Sequence, residues 1–130
     1  MSSTTEIRVR GYHLDVYGHV NNARYLEFLE EARWTLFENE LETWMTMGVS
    51  FFVVNINISY RAPALLNSTL KIDSLMSEIK TRSCVLKQLV TDKSSDKIVA
   101  EADVTFVIVD GTGKAMTLTE EVLKNLKKFQ

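Results

Sequence analysis

Cysteine and proline are nearly missing: Cys84 and Pro63 are the only ones in 130 residues. A single cysteine excludes an intrachain disulfide, so the fold must stand on an apolar core. Cys84 sits in a strand-like pattern, where a small buried apolar residue is expected rather than a reactive thiol. No segment approaches the ~20 consecutive apolar residues of a membrane span. The opening MSSTTEIRVRG has no apolar run before a cleavage site, so no signal peptide is expected, and the expected setting is the reducing cytoplasm. Basic charge is not in excess, since the net charge is −2, which argues against a nucleic-acid partner. G-x-G-x-x-G, P-loop and G-x-S-x-G patterns are absent as well. With no repeat, linker or low-complexity tract, residues 1–130 read as one domain.

What is present is an ordinary globular composition, 45% apolar and 25% charged. Residues 6–12 alternate Ile7 and Val9 against Arg8 and Arg10, which predicts a short strand. A loop over 13–20 follows. From Asn22, Tyr25, Phe28, Leu29, Ala32 and Leu36 fall at helical spacing, which predicts a helix ending near Asn39. A second short helix over 40–48 should stop at Gly48. The period then changes to two. In 51–60 the alternation puts Phe52, Val54, Ile56, Ile58 and Tyr60 on one face. Residues 69–79, 82–92 and 97–109 also read as strands. In the last, Ile98, Ala100, Ala102, Val104, Phe106 and Ile108 share one side. The other side turns apolar at Val107 and Val109, which suggests cover by another subunit. Thr119 should cap a C-terminal helix through Phe129, with Leu118 and Leu123 as a staple. One strand, one long helix and four closely linked strands imply an α+β domain: an antiparallel sheet curled around one central helix.

The loop carries more than a connection needs. GYHLDVYGHVNNARYLEFLEEARW packs Asp15, Gly18, His19, Asn21 and Asn22 against a helix start. Gly18 permits a sharp bend. The helix start offers unpaired N–H groups and the positive end of a dipole, which polarise a carbonyl and stabilise a developing oxyanion. A nearby carboxylate could attack that carbonyl or activate a water. Asp15 and the helix start together form a minimal acyl-transfer site. Against this stands the ordinary use of Asp in turns and of Asn as a helix cap. A metal site is not expected, because Asp15 and His19 are too few ligands and His13 is the only other candidate nearby.

The stretch from Asp15 to Arg33, DVYGHVNNARYLEFLEEAR, resembles the hot-dog-fold thioesterases of the 4-hydroxybenzoyl-CoA thioesterase type, and among them the bacterial long-chain acyl-CoA thioesterase branch. FFVVNINISYRAPALLNSTLKI and ADVTFVIVD extend the resemblance over nearly the whole chain. The resemblance implies a hot-dog fold, hydrolysis of long-chain acyl-CoA without a cofactor, and a homodimer or homotetramer with active sites between subunits. By the same resemblance Asp15 matches the catalytic carboxylate, as nucleophile or general base. The backbone N–H near Asn22 matches the group that holds the thioester oxygen. Several members of the family it resembles carry Tyr or His where this chain has Asn22. Gly18, His19, Asn21 and Tyr25 would support the loop, with Tyr25 equally suited to the core.

A CoA substrate calls for basic groups at the mouth of the site, and Arg61 is the first candidate, ahead of Arg82 and Lys87. Candidate acyl-pocket residues are Leu29, Leu36, Phe37, Trp44, Met45, Met47, Phe51 and Phe52. Two alternatives remain. One is a hydroxyacyl dehydratase or hydratase on the same fold, which would use His13 or His19. The other is an acyl-CoA-binding or scaffold domain without catalysis.

Overall fold

The computed structural model describes residues 3–130. Five strands, β1 (Ser3–Arg8), β2 (Ser50–Tyr60), β3 (Thr69–Ile79), β4 (Ser83–Asp92) and β5 (Ile98–Val109), form one sheet in the order β1-β3-β4-β5-β2. Every pairing is antiparallel. One face is covered by α1 (Asn22–Phe37), continued by α2 (Leu41–Thr46) and closed at the far end by α3 (Glu120–Leu126). Among the described residues no helix is long and apolar enough to cross a membrane.

α1 forms where helical spacing predicts it, and it buries the expected stripe: Tyr25, Phe28, Leu29, Ala32 and Leu36. Asn21 caps it, its Oδ1 accepting the Ala23 N–H at 2.9 Å. The stripe joins two packed clusters. Near the helix start, Phe28 and Leu29 meet Val9, Leu70, Ile72, Val90 and Ala100. Near its end, Leu36 meets Trp44, Met76, Leu86, Phe106 and Leu126. Between them lies a buried polar link: Gln88 Nε2 donates to Leu29 O at 3.1 Å and to Ser74 Oγ at 3.0 Å. Arg33 donates to Gln88 Oε1 at 3.2 Å.

Four sequence expectations change. β1 spans Ser3–Arg8 rather than 6–12, because it pairs with β3 from Ser3 and Gly11–His13 then winds into a 3-10 turn. The uniform alternation of β2 fails at Val54. The partner register passes from Val53↔Phe106 to Asn55↔Thr105, so Val54 is the extra residue of a β-bulge. The bulge shifts the phase: Phe51 packs on the core with Ile56, and Phe52 is left 52% exposed. A similar bulge at Val99 leaves Ile98 exposed on β5, while Ala100 to Ile108 keep the expected buried face. Finally, Val109 is covered by its own chain, which returns to pair Ala115 with it and to donate from Met116 N to Ile108 O at 2.9 Å.

Candidate active site

The loop before α1 is stitched into a tight reversal. Asp15 N donates to His19 O at 2.8 Å and Gly18 N to Asp15 O at 3.1 Å. Gly18 takes a φ of +77°, a conformation that a side chain would disfavour. The reversal is then tied down on both sides. Val20 N donates to Ala64 O at 3.0 Å, and Asn21 N to His13 O at 2.9 Å. Asn21 thus fixes the loop through its main chain and caps the helix through its side chain.

Within this reversal the Asp15 carboxylate is held at one oxygen only. Oδ1 accepts the Tyr17 N–H at 2.9 Å and the His19 N–H at 3.3 Å. Oδ2 has no donor among the described residues. The Asn22 N–H, first in the helix, likewise has no acceptor among them. Asp15, His19, Asn22 and Tyr25 line one cleft of about 250 Å³, together with Tyr60, Arg61, Ala62 and Pro63. An unpartnered carboxylate oxygen and an unpartnered helix-start N–H on two residues that line one cleft suit attack on a polarised carbonyl.

The remaining candidates sort themselves around this cleft. Tyr25 lines it from a buried position, and burial pushes its hydroxyl up to about 12, with a main-chain bond from Ala64 opposing. Arg61 lines the cleft and donates to Glu101 Oε1 at 3.0 Å, an exposed pair. Arg82 and Lys87 do not line it. Lys87 lies in a separate polar groove with Asn57, Ser59 and Asp103. His13 is buried away from the cleft, with Nδ1 accepting the Arg10 N–H at 2.9 Å. Burial and then Arg24 hold its imidazole below the usual value. Among the described residues no three His, Cys, Asp or Glu side chains gather to hold a metal ion.

An apolar cavity of about 220 Å³ opens at the other end of α1. Of the expected acyl-pocket residues, Phe37, Trp44, Met45 and Phe51 line it. Leu36 packs behind it and Met47 beside it. Leu29 belongs to the cluster at the helix start, and Phe52 faces outward because of the bulge. Cys84 lines the cavity too, and burial pushes its thiol up to about 12, which keeps it an inert apolar surface.

A sequence model of the thioesterase-like superfamily matches residues 9–126. The chain belongs to this superfamily. Its sequence is 50% identical over 128 residues to the long-chain acyl-CoA thioesterase FadM of Escherichia coli K12, covering 96% of this chain and 97% of that protein. It is 29% identical over 107 residues to the acyl-CoA thioester hydrolase YbgC of Shigella flexneri, covering 80% of this chain and 79% of the other. The crystal structure of YbaW, a probable thioesterase from Escherichia coli, superposes with a TM-score of 0.90 at 50% identity over 97% of both chains. The hot-dog fold of this thioesterase-like chain is therefore the fold that the sequence implies. Slr0204 of Synechocystis, a 1,4-dihydroxy-2-naphthoyl-CoA thioesterase, shares that fold alone, with a TM-score of 0.83 at 17% identity over 98% and 96% of the two chains.

Sequence reasoning missed Val20, Tyr60, Ala62 and Pro63 among the residues that line the cleft in this thioesterase-like chain, and of these Tyr60 brings a polar side chain. Tyr60 reaches across from the end of β2 and donates from its hydroxyl to Asn22 O at 3.2 Å. Its ring stands 5.3 Å from that of Tyr25. Its position beside Arg61 in the sequence was the available signal.

Proposed function

We propose that this protein hydrolyses long-chain acyl-CoA thioesters to the free acid and CoA. Asp15 is the catalytic carboxylate, and the Asn22 main-chain N–H holds the thioester oxygen. Membership of the thioesterase-like superfamily supports thioester hydrolysis, and the acyl-CoA activity named for FadM, half identical over nearly its full length, supports the substrate class and the long chain. The observation that carries the assignment is the shared cleft, in which Asp15 Oδ2 and the Asn22 N–H have no other partners among the described residues.

The thioester carbonyl oxygen rests on the Asn22 N–H at the positive end of α1. As the carbonyl carbon is attacked, its oxygen gains charge, and a preorganised donor there contributes about 3 kcal/mol. The attacking atom is either a water oxygen whose proton passes to Asp15, or Asp15 itself, forming an anhydride that water then opens. In both routes the C–S bond breaks, the sulfur leaves as thiolate and takes a proton, and one water is consumed. Gly18 and Asn21 hold the loop, His19 borders the cleft, and Tyr25 walls it. Arg61 is the group we assign to a CoA phosphate, in exchange for its exposed pair with Glu101.

The setting is the cytoplasm and the working unit a homodimer or homotetramer. β2 is an edge strand of 11 residues, SFFVVNINISY, without a charge or a proline. Within it Phe52 and Val54 are more than half exposed. Such an edge is unprotected against pairing, whereas the opposite edge, β1, carries Glu6 and Arg8. Self-pairing of β2 about a two-fold axis fits these features.

Thiol release over a panel of acyl-CoA esters tests the assignment. Asp15→Asn should keep the fold and lose about 10²- to 10⁴-fold in turnover. Near-normal turnover of a sample free of wild-type enzyme would reject Asp15.

A further inference from the structure

The polar cleft and the apolar cavity sit at opposite ends of α1, and two contacts lay β2 alongside the helix between them. At one end the Tyr60 hydroxyl meets Asn22 O at 3.2 Å. At the other, Phe51 and Val53 share a groove of about 210 Å³ with Arg33, Trp34 and Phe37. That groove runs into the cavity, since Phe37, Leu41, Phe51 and Phe106 line both. α1 and β2 therefore flank one antiparallel seam. Helical spacing puts Asn22, Leu26, Glu30, Arg33 and Phe37 on the seam side of α1. Large apolar groups stand open along it: Leu26 is 42% exposed, Val53 40% and Trp34 59%. Two charged residues, Glu30 and Arg33, also border the groove, and Arg33 is engaged with the buried Gln88, donating to its Oε1 at 3.2 Å.

The length of the seam is the second observation. From Asn22 to Phe37 the helix rises ~22 Å at ~1.5 Å per residue. An extended saturated chain advances by roughly 1.3 Å per carbon, given bond lengths near 1.5 Å at tetrahedral angles, so about 16 to 18 carbons cover the same span.

We propose that this seam is a ruler for the acyl chain. With the carbonyl on the Asn22 N–H, the tail passes Leu26, then Val53 and Trp34, and ends in the cavity between Phe37, Trp44 and Phe51 of the same protomer. The ruler rests on the hydrolysis proposed above and adds the residues that set chain length. A second copy paired on β2 roofs the seam without supplying its floor.

The test uses the full chain and three bulky substitutions at rising distance from the cleft: Leu26→Trp, Val53→Trp and Met45→Trp. All three replace exposed residues, so the fold should tolerate them. kcat/KM is measured with butanoyl-, octanoyl-, dodecanoyl- and palmitoyl-CoA. Met45→Trp should lower the palmitoyl-to-dodecanoyl ratio by about tenfold or more, Val53→Trp the dodecanoyl-to-octanoyl ratio, and Leu26→Trp the octanoyl-to-butanoyl ratio. Cys84→Ala, which enlarges the far end, should move the optimum to longer chains. The same cut-off in all three variants overturns the ruler. So does a cut-off at shorter chains in Met45→Trp than in Val53→Trp, because the tail would then enter the cavity of another protomer. Activity without the graded cut-off defeats the ruler alone, whereas a wild type that releases no thiol from any ester defeats the hydrolysis and the ruler together.

Discussion

The two ends of α1 differ in kind. At Asn22 the protein concentrates main-chain donors, a half-buried carboxylate and an exposed arginine, and it leaves some of those groups without partners. At Phe37 it concentrates aromatic rings and satisfies what polar groups it has. Trp44 Nε1 donates to Asn125 Oδ1 at 2.8 Å, and Asn125 Nδ2 to Glu40 Oε2 at 2.7 Å. Lys128 completes the chain, 3.1 Å from Glu40 Oε1. Groups left without a protein partner on an open cleft stay available to a ligand, whereas those at the other end are already engaged, which separates a reacting site from a packing site. Damage at the first end should cost turnover, and damage at the second should cost stability.

Leu36→Ala should show the larger effect at the packing end. Leu36 is buried between Trp44 and Phe106 but does not line the cavity, and its truncation should destabilise by about 2–5 kcal/mol. Denaturant midpoints measure that loss. Turnover of butanoyl-CoA per folded molecule should stay near wild type, and a drop like that of Asp15→Asn would break the division between the two ends.

A smaller effect belongs to the polar chain that closes the cavity. Burial favours the neutral form of Glu40, but the bonds from Asn125 and Lys128 and the charge of Lys128 outweigh it, and its carboxyl lies below the ordinary 4.5. A depressed carboxyl stabilises the fold above the unfolded value of 4.5 and loses that contribution as pH falls through the folded value. The melting temperature of the wild type should therefore fall faster below pH 4.5 than that of Glu40→Gln. Parallel curves would remove Glu40 from the account.

The same contrast explains how much was legible in the sequence. The reacting end is almost contiguous, since Asp15, Gly18, His19, Asn21 and Asn22 fall within eight residues, so their crowding was visible without a fold. The packing end draws on α1, α2, β2 to β5 and α3, and no local pattern could say that Phe37 and Cys84 face one cavity while Leu29 does not. α1 was legible because its apolar stripe holds a single period. β2 was half legible, because a bulge at Val54 changes which residues face inward and leaves no compositional mark among Phe51 to Val54, all apolar. Tyr60 escaped because its role depends on a hydroxyl crossing from a strand to a helix 38 positions earlier.

The central claim is that a main-chain N–H, not a side chain, receives the thioester oxygen, and position 22 allows that to be tested directly. Proline is well tolerated as the first residue of a helix, and Asn21, with φ −63° and ψ 137°, already has the conformation that precedes a proline. Asn22→Pro therefore removes one hydrogen-bond donor and leaves the helix intact, while Asn22→Ala removes the side chain and keeps the donor. With circular dichroism unchanged in both, Asn22→Pro should lose about 10²- to 10³-fold in kcat on palmitoyl-CoA and Asn22→Ala should stay within a fewfold of wild type. Full activity in Asn22→Pro would contradict the account.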